Sequence, residues 1–101
     1  MNDVERALAK CEGKRAWFYL RDEETKEHFK AELISLKATW RDGSLVEPKH
    51  NVSSFMAVHS DHKVAFISNM CWQIGSTAQY QDSIMRIDYQ KLIRHEDYLL
   101  K

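Results

Sequence analysis

A chain of 101 residues with 44% hydrophobic and 30% charged side chains, three glycines and one proline is expected to form one globular domain, 1–101, and not a disordered or loop-rich polymer. Fifteen lysines and arginines stand against fifteen aspartates and glutamates, ten of each sign in residues 1–50 and five of each in 51–101. Proteins that live on phosphate backbones or anionic membrane surfaces usually carry a basic excess, so this balance argues against both.

Asn2 or Asp3 can cap a first helix running to about Glu12. Val4, Ala7, Leu8 and Cys11 recur at i, i+3, i+4, i+7 and so share one face of it. Gly13 follows where a left-handed C-cap would sit. Residues 16–20, Ala-Trp-Phe-Tyr-Leu, are a short unbroken run of β-prone apolar side chains, expected to form a buried strand.

Residues 21–40 admit two readings. As a helix, the segment is capped by Asp22, has Glu23 and Glu24 at its positive end, carries a stripe of Phe29, Leu33, Leu36 and Trp40, and is closed by Gly43. As a strand, Phe29, Ala31 and Leu33 point one way and Ile34, Leu36, Ala38 and Trp40 the other. A phase flip of that kind is what a β-bulge produces in the bent second strand of a small barrel. The caps and the four-residue stripe favour the helix.

Residues 41–44, Arg-Asp-Gly-Ser, read as a turn, and Leu45-Val46 as a short extended piece stopped by Pro48. Two strands follow, 52–59 and 63–67, joined at Ser60-Asp61-His62 as a hairpin. Residues 70–74, Met-Cys-Trp-Gln-Ile, are expected to continue the second strand after a break at Ser68-Asn69, and 75–83 to form a polar loop. The tail from 84 to 100 is ambiguous: Ile84-Met-Arg-Ile-Asp88 alternates poorly, while Met85, Tyr89, Leu92, Glu96 and Leu99 approximate a helical stripe.

The expected fold is therefore α+β, a small single domain whose antiparallel sheet contains the central hairpin, with the N-terminal helix packed on it. The alternative is a small bent-sheet barrel, SH3-like or Sm-like, with a terminal helix.

No pattern here names a reaction. No Gly-x-Ser-x-Gly elbow presents a nucleophile, no glycine-rich loop could cradle phosphate, and Glu23 and Glu24 lie in a charged stretch where carboxylates ionise normally. The expectation is no catalytic residue, no cofactor and no enzyme. The string Ala57-Val-His-Ser-Asp-His62 resembles the last four positions of the HxHxDH metal-binding motif of the metallo-β-lactamase fold, which would make His59, Asp61 and His62 ligands. The first ligand position holds Ala57 and that fold needs a much longer chain, so the string is read as a polar hairpin turn. His50, His59, His62 and Cys71 have the chemistry of zinc ligands, but their spacing matches no knuckle or ribbon, so no metal site is expected. Cys11 and Cys71 form no CxxC and read as reduced thiols. With no leader-like N-terminus and no apolar run near the ~18 residues a bilayer requires, the expected location is the cytoplasm.

Charge distribution is the most informative feature. Residues 50–81 contain only Asp61 and Lys63 as permanent charges, leaving 28 of the chain's 30 to the other 69 residues. Such a run is either core or a surface kept uncharged for contact. Phe55, Met56, Met70, Trp72 and Tyr80 supply the aromatic and Met anchors that interface cores favour. The expected function is thus a non-enzymatic interaction or regulatory protein that binds another protein, or itself, through them. The alternative is a small nucleic-acid-binding β-barrel module using Lys14 and Arg15 with the neighbouring aromatics, as base-stacking platforms do.

Overall fold

Alternation in one strand sets the architecture. Ala16, Phe18 and Leu20 are buried while Trp17 and Tyr19 between them are half-buried, so this strand carries apolar side chains on both faces. The computed structural model describes residues 2–75, 77 and 83–100. The chain runs α1 (Asp3–Cys11), β1 (Arg15–Tyr19), α2 (Glu23–Ser35), β2 (Thr39–Trp40), β3 (Phe55–Val58), β4 (Lys63–Phe66), α3 (Asn69–Ile74), β5 (Ile84–Asp88), α4 (Tyr89–Ile93) and β6 (Leu99–Leu100).

The strands form one sheet in the order β2-β4-β3-β1-β5-β6. It remains open, with the two-residue strands β2 and β6 as its edges, so the barrel alternative is not the fold. The expected hairpin is there, with Met56 opposite Phe66 and Val58 opposite Val64. Its turn has His62 at φ 66° and the Asp61 carboxylate accepting from the Lys63 N–H. β1 joins the hairpin antiparallel, Phe18 opposite Met56. The sheet is nonetheless mixed: β5 runs parallel to β1 and β2 parallel to β4.

One face of the sheet is covered by α1, α2 and α4. Val4, Ala7 and Cys11 from α1, Phe29 and Leu33 from α2, and Tyr89 and Leu92 from α4 pack with Ala16, Phe18, Met56, Val58, Val64 and Ile87 into one core. At its centre three rings meet, with centroids of Phe18–Phe29 and Phe29–Tyr89 each 5.1 Å apart and Phe18–Tyr89 5.8 Å. Each fully buried aromatic of this kind supplies about 2–3 kcal/mol by burial.

Local chemistry fixes the helix ends. Asn2 caps α1 through its side-chain oxygen on the Glu5 N–H (2.9 Å), and Glu5 accepts from the Asn2 N–H in return, a full capping box. The left-handed residue that ends α1 is Glu12 (φ 48°), one position before the expected Gly13, which is itself at φ 89°. Asp22 caps α2 as expected, accepting from Thr25 N–H at 2.8 Å.

The helical reading of 21–40 holds only to Ser35. Lys37 adopts φ 57°, its N–H bonds the Ile34 carbonyl and the Ala38 N–H bonds the Leu33 carbonyl, which closes the helix as a Schellman motif six residues before Gly43. Trp40 consequently sits in β2 and not on the α2 stripe.

Two other expectations fail. Residues 70–74 are the helix α3, because the Ser68 hydroxyl accepts from the Cys71 N–H (3.1 Å) and starts a turn where a strand was expected to continue. The tail's helical stripe is confined to Tyr89 and Leu92, since Ile84–Asp88 pairs in full with β1 and Leu99 belongs to β6.

Candidate interaction surface

The second sheet face carries Arg15, Trp17 and Tyr19 of β1, Phe55 and Ala57 of β3, Ala65 of β4, and Ile84 and Arg86 of β5, brought side by side by the strand register. Among the described residues α3 is the one element that lies across it. Trp72, 8% exposed, is its anchor, with its ring 4.9 Å from Phe55 and 6.4 Å from Tyr19. The Arg86 guanidinium carbon stands 5.1 Å from the Trp72 ring centroid, and Arg86 Nη1 donates to the Trp72 carbonyl at 3.4 Å. Burial there pulls the guanidinium below its ordinary pKa, although it stays cationic. Gly75 completes the seat by bringing the end of α3 directly onto the Trp17 ring.

With Trp72 turned inward, Met70 and Ile74 turn outward. They lie at i and i+4 and are 73% and 44% exposed. Beside them a cleft of about 400 Å³ is lined by Arg15, Trp17, Cys71, Ile74, Ser83 and Ile84. Its walls are mainly apolar, with one guanidinium at the rim and an exposed thiol.

The expected contact residues therefore divide. Met70 is presented to solvent. Phe55 and Trp72 form the platform on which α3 is seated. Met56 points to the opposite face and is fully buried in the helix-covered core, so its side chain offers nothing to a partner. Tyr80 lies outside the described residues. Ile74, Gly75 and Arg86 were missed, and the signal for Ile74 was its i+4 relation to Met70, visible once Ser68 is read as a helix cap.

A second cluster lies where β1 begins and β3 turns into β4. One shallow cleft is lined by Lys14, Arg15, His59 and Ser60 together with Leu8, Cys11 and Gly13. A second, of about 360 Å³, is lined by Arg41, His59, Lys63, Val64 and Ala65. His59 lines both. Among the described residues none of Lys14, Arg15, Arg41 and Lys63 takes part in an ion pair.

His50, His59, His62 and Cys71 do not come together as ligands. His50 Nδ1 accepts from the Trp40 indole N–H (3.1 Å) and the Glu47 N–H (2.9 Å), tying residues 47–50 to β2. Among the described residues the metal-capable group is a different one, Asp3, His28 and Glu32, on the helix layer. The two cysteines are unpaired, Cys11 buried and Cys71 exposed. Among the described residues no helix is long and apolar enough to cross a membrane. No family model, no curated protein and no solved structure matches this chain.

Proposed function

We propose that this domain is a non-enzymatic interaction module and that its contact surface is the α3 face of the sheet. The observation that carries this reading is the outward pair Met70 and Ile74, held on a helix whose other side is pinned by Trp72 and Gly75. An exposed Met and Ile beside an apolar cleft, with Arg15 at its rim, is the composition of an interface core with a polar border. The helix is already formed and seated through Trp72 and Gly75, so binding through it would need little ordering of backbone. The occupant is another protein or a second copy of this chain, in the cytoplasm, where Cys71 stays reduced.

Solution mass by light scattering, alone and with the isolated partner, tests this directly. Met70→Asp and Ile74→Asp should each weaken association at least tenfold while the melting temperature moves by no more than ~2 °C. Association that survives both changes would assign the contact elsewhere.

A second reading has one observation in its favour, the four cations without ion pairs around His59. Single-stranded nucleic acid could lie along Lys14, Arg15, Lys63 and Arg41, although Trp17 is a wall of the α3 seat and not a free stacking platform. Lys63→Ala and Arg41→Ala should then each reduce the slope of log K against log salt by about one. Binding indifferent to salt would remove this reading.

A further inference from the structure

On the helix-covered side, far from α3, three elements bring unlike ionisable groups together. Asp3 opens α1, and His28 and Glu32 stand one turn apart on α2. His28 Nε2 lies 3.0 Å from Asp3 Oδ2 and 3.4 Å from Glu32 Oε1. The three ligand atoms all fall within 4.8 Å of one another. Backbone bonds hold this arrangement: the Asp3 N–H donates to Glu32 Oε1 at 3.0 Å, and Asn2 Nδ2 donates to the Glu32 carbonyl at 3.1 Å. Arg6 pairs with the other oxygen of Asp3, Oδ1, at 2.9 Å, which leaves Oδ2 facing the imidazole.

An Asp–His–Glu cluster of this kind is common as a plain ion-pair network. A second feature sets this one apart. The Tyr89 ring, on α4, packs 5.7 Å from the His28 ring, and the residue is fully buried. Its hydroxyl has no hydrogen-bond partner among the described residues. Buried hydroxyls without a partner are rare, and each is destabilising by about 1–3 kcal/mol.

We propose that Asp3, His28 and Glu32 form a binding site for a divalent first-row cation, zinc or manganese, with Tyr89 as its supporting hydroxyl. Bonds of ~2.1 Å from such an ion set neighbouring donors ~3.0 Å apart in an octahedron and ~3.4 Å apart in a tetrahedron, and His28 Nε2 stands at 3.0 and 3.4 Å from the two carboxylate oxygens. Two carboxylates with one imidazole suit a borderline cation better than calcium or magnesium, which take oxygen ligands. Three protein ligands leave coordination positions open to water. The phenol, which bonds no described residue, would be a donor for such a water, the outer-sphere contact that metal sites normally contain. The ion would join α1 to α2 and act on stability, independently of the α3 surface.

Zinc titration of the purified domain, followed by thermal melting and by NMR of the His28 and Tyr89 ring signals, tests the assignment. At zinc 100-fold above its dissociation constant the melting temperature should rise by about 10 °C. Both ring signals should shift with the same midpoint. His28→Gln and Glu32→Gln, which keep side-chain volume and can retain the bond from the Asp3 N–H, should each weaken zinc at least tenfold. Tyr89→Phe should raise the metal-free melting temperature and reduce the zinc-induced gain. His59→Gln and His62→Gln should bind zinc as the parent does. No zinc effect, or one that persists in both His28→Gln and Glu32→Gln, overturns the site.

Discussion

Replacing Gly75 by alanine tests the seat of α3, because two physical effects oppose each other there. Gly75 has φ −60° and ψ −16°, so the backbone accepts any residue, and alanine at a helix end should stabilise by about 0.5–1 kcal/mol. A Cβ at this position, however, would lie 2.8 Å from Trp17 Cζ3, 3.2 Å from Cε3 and 3.3 Å from the Trp72 carbonyl oxygen. Carbon atoms prefer ~3.5–4.0 Å, so something must move by several tenths of an ångström. Either the half-buried Trp17 ring, flanked in register by Ala57 and Arg86, tilts into the cleft it lines, or α3 lifts and draws Trp72 off Phe55. Overpacking of this type is destabilising by roughly 1–3 kcal/mol, so the net loss should be about 0.5–2 kcal/mol. Urea unfolding followed by far-UV circular dichroism measures it, with hydrogen exchange over residues 69–74 showing where the strain falls. Trp17→Leu removes both close ring atoms, so the double variant should recover at least ~1 kcal/mol relative to additivity. Gly75→Ala as stable as the parent, or a loss undiminished in the Trp17→Leu background, would refute the packing argument.

Other consequences can be checked by the same unfolding measurements. Lys37→Gly should stabilise by about 0.5–1 kcal/mol, since the left-handed closure of α2 now rests on a residue with a Cβ. Arg21→Ala should be more damaging than Asp88→Asn, because Asp88 is almost wholly buried and bonded to Arg21 at 2.7 Å, so removing the arginine strands a carboxylate; equal losses would contradict this. Burial raises the Cys11 thiol from 9.0 to about 11, so the folded state holds a proton that the unfolded chain releases first. The thiol's contribution to stability should accordingly be constant below pH 9 and be lost between pH 9 and 11, by at most about 2–3 kcal/mol, a slope that Cys11→Ala should flatten.

The parts of the fold legible in the sequence were those with local signals. The α1 stripe, the Asp22 cap and the 60–62 turn each specify themselves through neighbours a few residues apart. The end of α2 was misplaced because glycine marks left-handed closure in sequence, whereas here Lys37 adopts it under the pull of the buried Leu33 and Ala38. Residues 70–74 were misread because Met-Cys-Trp-Gln-Ile fits either period, and only the Ser68 hydroxyl decides. Phe55, Met56, Met70 and Trp72 were grouped by composition, which is blind to facing. The sheet puts Met56 and Phe55 on opposite sides although they are adjacent in sequence. The Asp3, His28 and Glu32 group had no sequence signal beyond the His28–Glu32 spacing, because Asp3 joins it only when α1 docks on α2.

The parallel pairing of β1 with β5 bears on the order in which the molecule can assemble. Arg15 meets Ile84, 69 positions later, so the central strand acquires its second neighbour only after most of the chain exists. Loop-closure entropy makes such a contact slow to form, and a nascent chain ending before β5 would hold the aromatic edge of Arg15–Tyr19 unpaired beside a finished hairpin. That intermediate is an open template for another strand. Emergence of β5 from the ribosome, and not formation of the local helices, is then the event that completes this sheet.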